Sequence, residues 1–74
     1  MKTEDDWSDS VKLILRTEMI RRGFNYERLA ERLAEMGVKE TAVNLRNKVA
    51  RGGFSATFFV RCLKAMGVKE LRLD

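Results

Sequence analysis

The run "NLRNKVARGG", Asn44 to Gly53, sets three cations and two asparagines together without an acid. The bias reaches further. From Thr41 to Lys69 there is no Asp or Glu, against six bases: Arg46, Lys48, Arg51, Arg61, Lys64 and Lys69. Residues 1–40 hold nine acids and eight bases and are nearly neutral. Polar surface of one sign attracts polyanions. Wound as a helix at about 100° per residue, the run turns Ala42, Leu45 and Val49 inward. Glu40, Val43, Asn44, Asn47 and Arg51 then face out, with Thr41 and Lys48 on the flanks and Arg46 nearer the buried edge. Two outward asparagines at i, i+3 match the donor and acceptor pair of adenine in the major groove, and Val43 suits a thymine methyl. Lys48 and Arg51 at the helix end reach phosphates, and Lys39, at the start of the segment, joins these candidate contacts.

Catalytic chemistry has little to draw on. Cys62 falls at helical spacing with Phe59 and Met66, which reads as core, and no His exists to activate it. The absence of His also removes a Cys/His zinc site, and one cysteine makes no intrachain disulfide. "RGGFS" lacks the long Gly-rich frame and Lys-Ser/Thr pair of a phosphate loop. The expectation is a non-enzyme, with no metal, cofactor or small-molecule substrate.

The elements that would position the basic face read as helices throughout. There is no Pro, and the glycines fall where helices should end. A first segment starts after Trp7, capped by Ser8 or Asp9, with residues 1–7 flexible. Trp7, Val11, Ile14, Leu15 and Met19 make its stripe, and Gly23 stops it. The second opens at Asn25, buries Tyr26, Leu29, Ala30 and Leu33, and ends at Gly37. The third runs from Lys39 or Glu40 to Ala50 and ends at Gly52-Gly53. The fourth has Ser55 as N-cap, a Phe54–Phe59 hydrophobic staple, and a stripe of Phe59, Cys62, Leu63 and Met66. "KELRLD" forms a short fifth element, either a last helical turn or an alternating strand. "MGVKE" occurs at Met36 and again at Met66. It reads as the same helix ending used twice, Gly in the left-handed position and Val packing back.

The expected fold is therefore all-α: a compact bundle of four main helices containing a helix-turn-helix, one domain over residues 1–74. With 45% apolar against 35% charged residues the chain is a folding domain, not a disordered tail. At this length it buries only about 60% of its unfolded surface. The acidic "MKTEDDWSDS" is no signal peptide, and the longest apolar runs, "LIL" and "FFV", cannot span a bilayer. The cytoplasm is the default location, and a net charge of +4 favours polyanionic partners.

"YERLAERLAEMGVKETAVNLRNKVARGGFSATFFVRCLKAMGVKEL", residues 26–71, resembles the helix-turn-helix core of the lambda-repressor-like family. The shared features are the "LAxxL…GV" entry, a polar recognition helix and an "S…L…A…LGV…L" fourth helix. The "NLRNK…RGGFSA" run also resembles a small bacterial domain family of unassigned function. The lambda-repressor-like resemblance implies phosphate contacts from Asn25 and Tyr26 at the start of the second helix, and from the cap region around Ser55 and Thr57. The chain departs from that pattern in one respect. Counted from Gly37, Leu45 falls one residue before the family's second core position, and strict alignment would turn Val43 inward, against the wheel.

These readings converge on sequence-specific binding of double-stranded DNA by a small bacterial or phage-type transcriptional regulator, acting as a homodimer. Two alternatives stand beside it. One is a protein-interaction module of adaptor or antitoxin-like type, suggested by surplus apolar residues: Trp7, Phe54, Phe58, Val60, Leu71 and Leu73. The other is RNA binding.

Overall fold

A computed structural model describes residues 3–73. Four α-helices follow one another: α1 (Glu4–Arg21), α2 (Tyr26–Glu35), α3 (Ala42–Arg51) and α4 (Ala56–Ala65). The four-helix, all-α expectation holds. No strand occurs among the described residues, and no helix among them is long and apolar enough to cross a membrane.

Each helix begins where a side chain can satisfy its first amides. Asn25, Thr41 and Ser55 cap α2, α3 and α4 by accepting from the backbone N–H groups of Arg28, Asn44 and Phe58. For α1 the cap is Thr3, not Ser8 or Asp9. Thr3 Oγ1 accepts from the Asp6 amide at 3.2 Å and Asp6 Oδ2 accepts from the Thr3 amide at 3.0 Å, a reciprocal capping box. Residues 4–7, expected to be flexible with the rest of 1–7, are thus the first turn of a helix; Met1 and Lys2 lie outside the described residues. Helix α3 starts two to three residues later than expected, which leaves Lys39 and Glu40 in the connecting segment.

The "MGVKE" pair does serve as a repeated helix ending. Gly37 and Gly67 have φ of 80° and 78°, and the amides of Val38 and Val68 reach back to the carbonyls of Leu33 and Leu63. Residues 69–73 are neither helix nor strand, so no fifth element forms among the described residues; Asp74 lies outside them. Leu71 is half-buried along a groove shared with Leu13, Ile14 and Thr17 of α1.

Helix α2 packs on α3 and α4, and α1 packs on α4. Leu15, Leu29, Leu33, Leu45, Val49 and Cys62 are fully buried between them. Helix α4 is rotated from its expected stripe: Phe58, Cys62, Ala65 and Met66 face the core, while Phe59 and Leu63 are half-buried at its margin. Phe59 remains useful there, since its ring stacks on Phe54 at 6.1 Å, the predicted staple. Helix α1, at 18 residues, is about 27 Å long and extends past its ten-residue neighbours. Trp7, at the end of its first turn, is accordingly 56% exposed and not part of the inward stripe. Gly52, with φ of 68°, lets the loop after α3 approach Ser8 of α1; a Cβ there would lie 3.5 Å from Ser8 Cβ.

Candidate nucleic-acid interface

Burial of Leu45 and Val49 fixes the rotation of α3, and the opposite face is open. Val43, Asn44, Asn47 and Arg51 are all exposed on it, Val43 by 59%. The wheel, and not the strict alignment on Gly37, gives the register of this helix. Asn44, Asn47, Lys48, Ala50 and Arg51 line one shallow depression along α3. Lys48 and Arg51 also line the adjoining one, which continues through Gly52 and Gly53 to Ser55 at the start of α4. The exposed face of α3 and the N-terminus of α4 thus form a continuous surface.

Two residues, Glu40 and Arg46, sit differently from their sequence-derived placement, and Lys48 is engaged within the fold. Glu40 does not face out: it lies before the helix, its side chain is only 12% exposed, and its carboxylate accepts from Lys48 Nζ. The ammonium of Lys48 is held by that carboxylate and sits 5.2 Å from the centre of the Phe58 ring, while its side chain remains 40% exposed. Arg46, placed nearer the buried edge by the wheel, is exposed. Its guanidinium lies 5.7 Å from the Tyr26 ring centre and 4.0 Å from Glu27, spanning from α3 to the first turn of α2.

The remaining candidates are distributed as follows. Lys39 is exposed in the α2–α3 connection. Thr41 is exposed, with its hydroxyl oxygen accepting from the Asn44 amide at 3.0 Å. Asn25 Oδ1 accepts from the Arg28 amide at 2.8 Å, and Tyr26 is half-buried beneath Arg46. Ser55 Oγ accepts from the Phe58 amide at 3.1 Å, and Thr57 is exposed on the first turn of α4. Capping uses the acceptor side of these groups. The hydroxyl protons of Thr41 and Ser55 and the Asn25 amide NH2 stay available as donors, at helix ends whose dipoles favour anions.

One cation near this surface was invisible in the sequence. Lys12 of α1 reaches the carbonyl oxygen of Ala50 at 3.1 Å, across a separation of 38 residues, and so tethers α1 to the end of α3. A Lys on a helix surface carries no signal of such a contact; only the close approach of Ser8 to Gly52 creates it.

Residues 7–71 match the family described as Domain of unknown function (DUF6471). The chain belongs to this family. No curated protein and no solved structure matches it. The matched span starts at Trp7 in α1 and ends at Leu71 beside α1, so the family includes all of α2, α3 and α4, together with the open face of α3.

Proposed function

We propose that this chain binds double-stranded DNA sequence-specifically, as a small transcriptional regulator of lambda-repressor-like type, with α3 in the major groove. The observation that carries the reading is the open face of α3. Asn44, Asn47 and Arg51 stand exposed and acid-free on a helix whose other side is anchored by Leu45 and Val49. Asn44 and Asn47 read base edges, Val43 meets a thymine methyl, and Arg51 contacts phosphate. The capped N-termini of α2 and α4, at Asn25–Tyr26 and Ser55–Thr57, position the backbone by donating to phosphates and so set register without specifying sequence. Glu40, at the start of the helix, is paired with Lys48, which offsets its repulsion of the duplex.

The functional unit is a homodimer. One short recognition helix reads too few base pairs for useful specificity. Two-fold symmetry places two such helices about 34–36 Å apart on successive major grooves.

Selection from a random duplex library, followed by titration of the selected site at several salt concentrations, tests the reading. The expected results are a two-fold symmetric site and an affinity falling with salt by roughly 0.9 log units per log unit for each phosphate contacted. Absence of binding at low salt, salt-insensitive binding, or a preference for single-stranded RNA over every duplex would overturn it.

A further inference from the structure

One face of α1 is largely open to solvent among the described residues, bordered at Leu13 and Thr17 by the C-terminal segment. Leu15, Glu18 and Met19 are buried toward the bundle, while Asp9, Leu13, Arg16 and Ile20, at i, i+4, i+7 and i+11, share the opposite side. Leu13 is 66% and Ile20 79% exposed. The hollow along this side is lined by Asp9, Lys12, Leu13, Arg16, Thr17 and Ile20, all from α1 itself. Isolated apolar residues on a surface are ordinary. Here two of them share one stripe with a segregated set of charges. Glu4, Asp5, Asp6 and Asp9 occupy the first half of α1, and its bases, Lys12, Arg16 and Arg21, all come after them.

That order is self-complementary in one direction only. We infer that two copies of this chain associate through the outer face of α1, antiparallel about a two-fold axis near Leu13. A parallel pair would set acid on acid and base on base. The antiparallel pair sets Asp9 against the partner's Arg16 and Arg16 against the partner's Asp9, and their midpoint falls between Lys12 and Leu13, at the middle of Glu4–Arg21. Leu13 then meets the partner's Leu13 across the axis. An isologous interface needs a patch that complements itself, which a charge-ordered helix with a central leucine provides. Asp9 lies 3.7 Å from Lys12 of its own chain and its side chain is 72% exposed, so the pair is worth little and the carboxylate can take a second cation. The inference supplies the surface for the homodimer proposed above and does not depend on DNA being the ligand.

Sedimentation equilibrium without DNA tests it, with the wild type, Asp9→Arg, Arg16→Asp and an equimolar mixture of the two variants. Concentrations should span roughly 10 µM to 1 mM, because a single helix pair falls at the small end of specific interfaces. The wild type should dimerise, and each variant alone should lose at least about tenfold in association through facing like charges. The mixture should recover, because one chain then presents two arginines to the other's two aspartates. Cysteine cross-linking gives an independent reading, since Cys62 is fully buried and will not compete. Leu13→Cys should form a disulfide-linked dimer on mild oxidation. Ile20→Cys should not, as antiparallel pairing leaves the two thiols about 22 Å apart along the axes. A monomeric wild type throughout, mixed variants that fail to associate, or efficient cross-linking through residue 20 would each overturn the inference. None of these outcomes bears on whether α3 binds DNA.

Discussion

Lys48 Nζ donates to the carboxylate of Glu40 across the start of α3, joining the α2–α3 connection to the second turn of that helix. The pair stands beside the core: Lys48 lies over Phe58, and Glu40 is close enough to Cys62 to act on its thiol. A cation that sequence alone assigns to phosphate is thereby committed to holding the helix in place. Lys48→Met should lower stability by about 1–2 kcal/mol, between the values for exposed and buried pairs, because it strands a largely buried carboxylate. Urea unfolding measures this. Glu40→Gln should cost less, since the amide still accepts from Lys48. If Lys48→Met leaves stability untouched and flattens the salt dependence of DNA binding, the lysine contacts phosphate after all.

Arg51 is the opposite case. It ends α3, is exposed, and lies in a stretch of sequence without acids. Arg51→Met should leave the urea midpoint within about 0.5 kcal/mol of wild type. It should also reduce the salt slope of DNA binding by about one contact, uniformly across sequences. Asn47→Ala should instead cost about 1–3 kcal/mol at one base pair of the selected site and relax specificity there. Equal losses on specific and random duplexes for Asn47→Ala would remove the base-reading role.

Much of this arrangement was legible in the residues. Asn25 and Ser55 as caps, the Phe54–Phe59 staple and the paired "MGV" endings are local devices whose partners lie within a few residues. The Thr3-x-x-Asp6 capping box is equally local, its two partners three residues apart. What could not be read was set by contacts distant in sequence. The rotation of α4, which buries Phe58 in place of Phe59, follows from packing on α1 and α2. On a wheel, both phenylalanines fit an apolar stripe. The inward turn of Glu40 depends on α3 starting after Thr41, and a shift of two residues at that boundary changes a solvated acid into a paired one.

The register of α3 can be checked through two neighbours of contrasting burial. Leu45 is fully buried, whereas Val43 is 59% exposed. Leu45→Ala should cost about 2–5 kcal/mol, a large share of the roughly 5–15 kcal/mol that holds a domain folded. Val43→Ala should change stability by less than about 0.5 kcal/mol while weakening binding to any selected site that carries a thymine opposite it. The reverse order of stability effects, measured by thermal or urea unfolding, would show that α3 follows the strict Gly37 alignment and presents a different face.

The buried thiol gives stability a dependence on alkaline pH. Cys62 is fully buried, and removal from water is the main cause that pushes its pKa from 9.0 up to about 12. The Glu40 carboxylate acts in the same direction, and the Lys48 ammonium opposes both. The folded state therefore keeps its proton through a range in which the unfolded chain gives it up. Below pH 9 both states hold the proton and the group contributes no pH dependence. From pH 9 towards 12 the unfolded state is favoured by ionisation, and stability falls by up to about 1.4 kcal/mol per pH unit. Other groups also titrate in this range, so the measurement is the stability difference between wild type and Cys62→Ala, followed by urea unfolding. That difference should be flat below pH 9 and shift steadily against the wild type above it. In parallel, a thiol reagent at pH 8 should react with Cys62 only through unfolding, at a rate that rises with urea. Prompt labelling of the native protein, or a difference constant to pH 11, would show that the thiol ionises in place.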